Sequence, residues 1–146
     1  MSAKKTPHQE RVESFMKLSK RKVPFFPEMP DRDARIFQAK AVLENALELI
    51  EGLGFKLVMS KNEEAGVPGR FGFEEHENGP DLIKIAGECA NLSVATIGTL
   101  SACGISDLSL LMEVDEKNVG QFGPNGKRRP DPDEPNVVGV LKRQAP

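Results

Sequence analysis

Apolar residues recur every three to four positions in four stretches of the chain. These stretches cover residues 9–20, 31–53, 80–103 and a segment that begins at Asp107. A repeat of this length predicts four amphipathic helices, each with one face turned towards a core. The third stretch also carries many small residues from Ala90 onwards, which let another backbone approach closely. Because one thin protomer cannot bury every side of such a helix, we expect a homo-oligomer, either a dimer or a tetramer.

The segments between and beyond these helices have other patterns. Residues 23–30 contain three prolines, which fix φ and remove backbone donors, so this segment should form an extended strap. Residues 55–79 alternate loosely at first and contain turn residues at 66–69, which favours a small β-hairpin or an ordered loop. The expected fold is all-α: a single bundle of four to five helices over residues 9–129 with this insertion. Residues 1–8 should be disordered, and residues 130–146 should form a proline-rich tail.

Composition and charge exclude several classes of protein. The 146 residues carry a net charge of -2 at pH 7, so no global basic surface predicts a nucleic-acid partner. No apolar run reaches transmembrane length and the first residues contain no apolar signal core, so we expect no membrane partner. Cys89 and Cys103 lie on one predicted helix about 21 Å apart, too far to pair with each other. These features favour a soluble cytoplasmic protein in a reduced compartment.

Acidic and amide side chains cluster on the second and third predicted helices. They are Glu44, Asn45, Glu48 and Glu51 in the second helix and Glu88 and Asn91 in the third. Residues three or four apart share a helix face, and the three acids of the second helix repel one another unless a cation or solvent compensates. If the two helices are antiparallel neighbours, their oxygens can converge on Mg²⁺ or Mn²⁺. Such an ion clamps a polyphosphate and activates a water molecule for attack at phosphorus.

A short basic segment adds a second candidate feature. Lys127, Arg128 and Arg129 follow one another along the chain, and ammonium and guanidinium groups suit phosphate oxygens. Together with the acids, this segment points to a ligand that carries phosphate groups. Plain exposure to solvent is the alternative explanation of the acidic residues.

Four segments, in this order along the chain, carry a more specific pattern. They are residues 27–31 followed by Arg35, residues 43–49, residues 88–92 with Gly98, Thr99, Gly104 and Ile105 behind them, and residues 114–118 with 122–127. Over residues 12–129 they resemble the MazG-like all-α nucleoside triphosphate pyrophosphohydrolases, a superfamily that includes phosphoribosyl-ATP pyrophosphohydrolase and all-α dUTPase-like enzymes.

The resemblance implies a helical bundle built from dimers and the Mg²⁺-dependent hydrolysis of a (d)NTP or related nucleotide to the monophosphate and pyrophosphate. It also implies roles for individual residues. The catalytic acids would be Glu44, Glu48 and Glu88, the metal ligands these three with Asn45 and Asn91, and the substrate-binding residues Asn118, Lys127, Arg128 and Arg129.

Three positions depart from the pattern of the superfamily. Asn45 stands where a Glu is expected, Asn91 where an Asp is expected, and Gln121 where a Lys is expected. Each Asn removes one negative charge from a site that works by concentrating charge around a cation. Three hypotheses therefore stay open: an active hydrolase, a catalytically impaired relative that binds nucleotide or a partner without turnover, and a structural helical oligomer whose acids are only solvated.

Overall fold

Helices account for most of the residues that the structure describes. In the computed structural model, which describes residues 3–60 and 70–146, the chain forms five α-helices and two β-strands. In chain order they are α1 (Pro7–Leu18), α2 (Arg32–Gly52), β1 (Phe55–Ser60), β2 (Arg70–Glu75), α3 (Leu82–Ala102), α4 (Asp107–Val119) and α5 (Val137–Gln144). The predicted helical fold with a small insertion is therefore confirmed.

The chain divides into two compact units. Unit 1 comprises Met1–Ala34 and Ile97–Pro146, and unit 2 comprises Arg35–Thr96. Unit 1 therefore holds α1, the strap, the end of α3, α4 and α5, whereas unit 2 holds the two strands and most of α2 and α3. The sequence predicts one bundle over residues 9–129, whereas the contacts within the chain group its residues into these two units.

Helix α1 begins earlier than the apolar repeat predicts. The Thr6 hydroxyl accepts a hydrogen bond from the Gln9 N–H at 3.1 Å, and Pro7 occupies the first helical turn. Both residues favour a helix start at these positions. Thr6 in turn donates from its backbone N–H and its hydroxyl to the buried Asp107 carboxylate, at 2.8 and 2.6 Å. The sequence predicts disorder through residue 8, but this cap and its anchor give residues 6–8 a defined structure.

The core of unit 1 combines a small apolar cluster with a buried polar network. Val12 and Met16 of α1 pack with Ile97 and Ala102 of α3. Beside them the Gln9 side chain is fully buried, accepts from the Asp107 N–H at 2.8 Å, and donates to the Ser101 hydroxyl and the Ile105 carbonyl at 3.0 and 2.8 Å. Within the described ranges, no buried side-chain polar atom lacks a hydrogen-bond partner. The network therefore fixes the start of α4 against α1 and the end of α3.

The proline-containing strap between α1 and α2 crosses the end of α3. Its Glu28 N–H donates to the Cys103 carbonyl at 2.9 Å. Helix α3 ends with Gly104 at a φ of 69°, and the Ile105 N–H donates back to the Leu100 carbonyl at 2.9 Å, the arrangement of a glycine C-cap. A Cβ at Gly104 would overlap the Phe26 carbonyl oxygen. The predicted C-cap is thus present, and it is also the place where the strap passes.

The segment predicted as a proline-rich tail contains helix α5. Asn136 caps this helix by accepting from the Gly139 N–H at 3.0 Å, and Val140 and Gln144 are buried. The Gln144 amide accepts from the Ser106 N–H at 2.7 Å and donates to the Ser106 carbonyl at 2.9 Å. The sequence pattern missed α5 because eight residues give too short a repeat, and contacts with the start of α4 stabilise it.

In unit 2 the predicted hairpin is present. Strands β1 and β2 pair antiparallel from Phe55 opposite Glu75 to Ser60 opposite Arg70, and the Phe55 and Phe73 rings lie 5.9 Å apart. The predicted turn at 66–69 lies outside the described residues. Among the residues described, no single helix is long and apolar enough to cross a membrane, and α3 and α4 reach that length and composition only when taken together as a bent pair.

Candidate functional site

The end of α2 and the beginning of α3 lie in direct contact within unit 2. The Asp81 N–H donates to the Gly52 carbonyl at 2.9 Å. A Cβ at Gly52 would lie only 3.1 Å from Lys84 Cγ and 3.2 Å from the Ile85 nitrogen. The glycine therefore permits a close approach that a larger residue would oppose. Asp81 also caps α3, accepting from the Ile83 and Lys84 N–H groups at 3.0 and 3.2 Å. These contacts fix the position of Lys84.

Lys84, on α3, places its ammonium beside two acids of α2. Its Nζ donates to Glu48 Oε2 at 2.7 Å and lies 3.9 Å from Glu51 Oε2. The hydrogen bond to Glu48 raises the pKa of Lys84 above its ordinary value. Desolvation opposes this rise, and the charges of Glu48, Glu51 and Glu88 add to it. A cation does compensate the acidic stripe of α2, and it is a side chain of the protein itself.

The other oxygen of Glu51 faces a second nitrogen group. Glu51 Oε1 lies 3.4 Å from His76 Nε2, and His76 is held at the base of the hairpin because its N–H donates to the Gly54 carbonyl at 2.7 Å. One carboxylate oxygen of Glu51 therefore lies near His76 and the other near Lys84, and Lys84 also contacts one oxygen of Glu48. We call Glu48, Glu51 and Glu88 the acidic face of unit 2.

The remaining predicted metal ligands contribute little to this face. Glu44 and Asn91 are exposed to solvent. The Asn45 side-chain nitrogen donates to the Ala41 carbonyl of its own helix at 2.7 Å. Among residues 3–60 and 70–146, no group of three or more His, Cys, Asp or Glu side chains is arranged to hold a metal ion. Because a divalent cation needs several convergent oxygens, the described residues do not fit the predicted Mg²⁺ or Mn²⁺ site.

The predicted substrate-binding residues belong to unit 1, at and after the end of α4. The Asn118 carbonyl accepts from the Gln121 N–H at 3.3 Å. Beyond it, the Gly123 N–H donates to the Lys127 carbonyl at 2.8 Å, and the Arg129 N–H donates to the Gln121 carbonyl at 2.6 Å. These bonds close residues 121–129 into a turn that exposes Lys127, Arg128 and Arg129. We call this segment the basic turn.

Lys84 is the residue of this site that the sequence pattern did not identify. It is the one Lys or Arg between residues 81 and 105, and it precedes Glu88 by four positions, so the two share a helix face. That spacing could have identified Lys84 as a neighbour of Glu88. The contact with Glu48 could not be predicted from spacing, since the two residues are 36 positions apart and are brought together by the hairpin between α2 and α3.

No protein-family model and no curated protein matches the chain. The resemblance to the MazG-like enzymes therefore rests on the four sequence segments alone.

Proposed function

We propose that the protein is a catalytically impaired relative of the MazG-like pyrophosphohydrolases, a homo-oligomer that binds nucleotide phosphate groups without hydrolysing them. The observation that carries this proposal is the 2.7 Å hydrogen bond from Lys84 Nζ to Glu48 Oε2. Glu48 is one of the three acids on which the resemblance places catalysis.

The proposal of impaired catalysis rests on charge. The resemblance implies hydrolysis through a divalent cation held by acids, and a cation at Glu48 would meet the Lys84 ammonium, a like charge. Asn45 and Asn91 remove two further negative charges. The acidic positions that remain include Glu44, which is exposed. Fewer carboxylates and a competing ammonium both oppose metal-dependent hydrolysis.

The basic turn supports the binding part of the proposal. Lys127, Arg128 and Arg129 are all exposed within a nine-residue turn closed by backbone hydrogen bonds. Without a metal ion, the charge of a triphosphate has to be balanced by protein cations, and guanidinium groups bind phosphate oxygens in pairs. The basic turn offers two guanidinium groups, from Arg128 and Arg129, and the ammonium of Lys127.

Exposed apolar side chains on unit 2 support self-association. Of the α2 residues, all of which the structure describes, only Gln38 and Gly52 are buried, while Leu43 and Leu47 are exposed. On α3, Leu82 and Ile83 are 79% and 86% exposed. Large apolar surfaces of this kind mark association sites, and pairing of identical surfaces is the commonest solution for soluble proteins.

A hydrolysis assay tests the proposal. Pyrophosphate release should be measured from the standard and modified nucleoside triphosphates at millimolar Mg²⁺ or Mn²⁺, and we expect none above the protein-free rate. The same nucleotides should raise the melting temperature without added metal, since a ligand that binds only the folded state stabilises it.

Three variants make the assay decisive. Replacing Lys127, Arg128 and Arg129 together by Gln should abolish the thermal shift, whereas Lys142→Gln, an exposed cation on α5, should leave it unchanged. Turnover that disappears in Glu48→Gln would overturn the proposal and establish the hydrolase. Absence of both turnover and thermal shift would also overturn it, in favour of a purely structural oligomer.

A further inference from the structure

The hairpin of unit 2 has one face made of large apolar side chains. They belong to Phe55, Leu57, Met59, Phe71 and Phe73. Directly opposed residues of an antiparallel pair lie on the same face, and the register places Leu57 opposite Phe73 and Met59 opposite Phe71. The centre of the Phe55 ring lies 5.9 Å from that of the Phe73 ring. We call these five residues the hairpin face.

The opposite face of the same hairpin carries charged and smaller side chains. Lys56 lies opposite Glu74, and its ammonium contacts Glu77 at 3.2 Å. Val58 lies opposite Gly72, which contributes no side chain. An antiparallel sheet has this alternation when one side packs on a core and the other side meets water. The pattern of the two strands therefore indicates that the hairpin face is suited to burial.

The protomer leaves most of the hairpin face in water. Phe71, Phe73 and Met59 are 68%, 60% and 67% exposed, and Phe55 is 37% exposed. With about 200 Å² for each fully exposed side chain of this size, these four residues expose about 450 Å² of apolar surface. A two-stranded hairpin is only marginally stable in water unless its hydrophobic face packs against a further layer. One layer from outside the protomer would therefore stabilise this hairpin.

We infer that this layer is a second copy of the chain, with the hairpin faces of two protomers packed against each other. None of the five residues is charged, and Glu75 lies at the end of the face, opposite Phe55. A neutral apolar face does not select a basic or an acidic partner by charge. An identical face matches it in chemistry, and the pairing of identical surfaces is the commonest arrangement in soluble oligomers.

The area of this contact is close to what a specific interface needs. Two hairpin faces would remove up to about 900 Å² from water through four side chains of each copy, and a specific interface buries about 1,000 Å² or more. Leu57, at the centre of the face, adds to this area. Because side chains interdigitate when two sheets pack about 10 Å apart, rings from both copies would form a small shared core.

The inference rests on the self-association in the proposed function and assigns it to a new surface. The hairpin face is distinct from the exposed apolar residues of α2 and α3, which include Leu82 and Ile83. Two different self-pairing surfaces on one chain build a tetramer with two-fold axes at both contacts. The hairpin contact requires neither nucleotide nor metal, so it can be tested separately from nucleotide binding.

Tryptophan fluorescence of the full-length protein tests the inference. The chain contains neither Trp nor Tyr, so Phe73→Trp introduces the only indole. In the oligomer we expect its emission to be blue-shifted and protected from acrylamide, and dilution to the monomer should reverse both effects. Phe122→Trp is the matched control, because Phe122 of unit 1 is 55% exposed, close to the 60% of Phe73. Its indole should be quenched to the same extent at every protein concentration.

Two lysine variants on adjacent residues test which face of the hairpin is in contact. Phe73→Lys places an ammonium in the proposed core, where its burial is costly, and should halve the oligomer mass measured by sedimentation equilibrium. Glu74→Lys places the same group on the opposite face and should leave the mass unchanged. Circular dichroism establishes that each variant is folded. If Phe73→Lys fails to fold, the fluorescence of Phe73→Trp still decides.

The outcomes separate this inference from the proposed function. An oligomer in which the indole of Phe73→Trp is as accessible to acrylamide as that of Phe122→Trp would overturn the inference, because the copies would then associate elsewhere. A blue shift that requires added lipid vesicles would overturn it in favour of a membrane surface. A wild type that is monomeric at all concentrations would overturn both. Nucleotide turnover by the wild type would overturn the proposed function alone, and a protected indole would still support the hairpin contact.

Discussion

Among the glycines of unit 1 that have a positive φ, Gly104 is the one whose replacement by Ala should destabilise the unit most. Gly104 ends α3 at a φ of 69°, where an L-residue costs about 1–2 kcal/mol. The added Cβ would also overlap the Phe26 carbonyl oxygen and lie 2.7 Å from the carbonyl carbon. Relieving such an overlap costs about a further 1–3 kcal/mol. The total, about 2–5 kcal/mol, is a large part of the stability of an ordinary domain.

Urea unfolding followed by circular dichroism measures this loss, and Gly126 provides the matched control. Gly126 has a φ of 75°, but apart from its own atoms and its two chain neighbours no atom lies within 4 Å of its Cβ position. Gly126→Ala should therefore cost only the backbone strain of about 1–2 kcal/mol. The difference between the two variants isolates the contact with the strap. If Gly104→Ala costs no more than Gly126→Ala, the strap does not pass against the end of α3 as described.

Two further variants test the buried network and the exposed helices. Gln9→Leu should lower the free energy of unfolding by about 2 kcal/mol or more, because it leaves the Asp107 N–H, the Ser101 hydroxyl and the Ile105 carbonyl without their buried partner. Urea unfolding measures this loss. A loss below about 0.5 kcal/mol would contradict the buried hydrogen-bond network around Gln9. Ile83→Asp should lower the oligomer mass measured by sedimentation equilibrium, since it places a charge on the most exposed large hydrophobic residue of α3. An unchanged mass would exclude this surface from the interface.

Regular elements could be predicted from the sequence where their signals are local. The long repeats of α2 and α3, the alternation of β1 and the glycine at the end of α3 all depend on residues within one segment. The cap formed by Thr6 and Pro7 was equally local, although the apolar repeat alone did not include it. Helix α5 was not predictable in this way, because its stability comes from the burial of Val140 and the bonds of Gln144 to Ser106.

The candidate site was predictable only in part. The acids were assigned to the correct pair of helices, and their like charges indicated that either a cation or solvent compensates them. The identity of that cation did not follow, because Glu48 and Lys84 are separated by the whole hairpin. Likewise, no spacing rule shows that the Asn45 amide donates to the Ala41 carbonyl of its own helix.

The most direct test of the central claim is an NMR experiment on the Lys84 side-chain resonances of the wild-type protein. The resonances are followed first with pH in the absence of Mg²⁺, and then on addition of millimolar Mg²⁺ at neutral pH, where the ion stays in solution. We expect the pKa of Lys84 to lie above its ordinary value of 10.5, because of its hydrogen bond to Glu48 and the nearby carboxylates. Since this pKa is raised in the folded state, the pair stabilises the protein below pH 10.5, and its contribution is lost as the pH rises through the raised value. Mg²⁺ at neutral pH should leave the Lys84 resonances unchanged. An ordinary pKa would show that the hydrogen bond to Glu48 does not form, and resonances that shift as Mg²⁺ is added would show that metal ions displace the ammonium. Either result would contradict the claim.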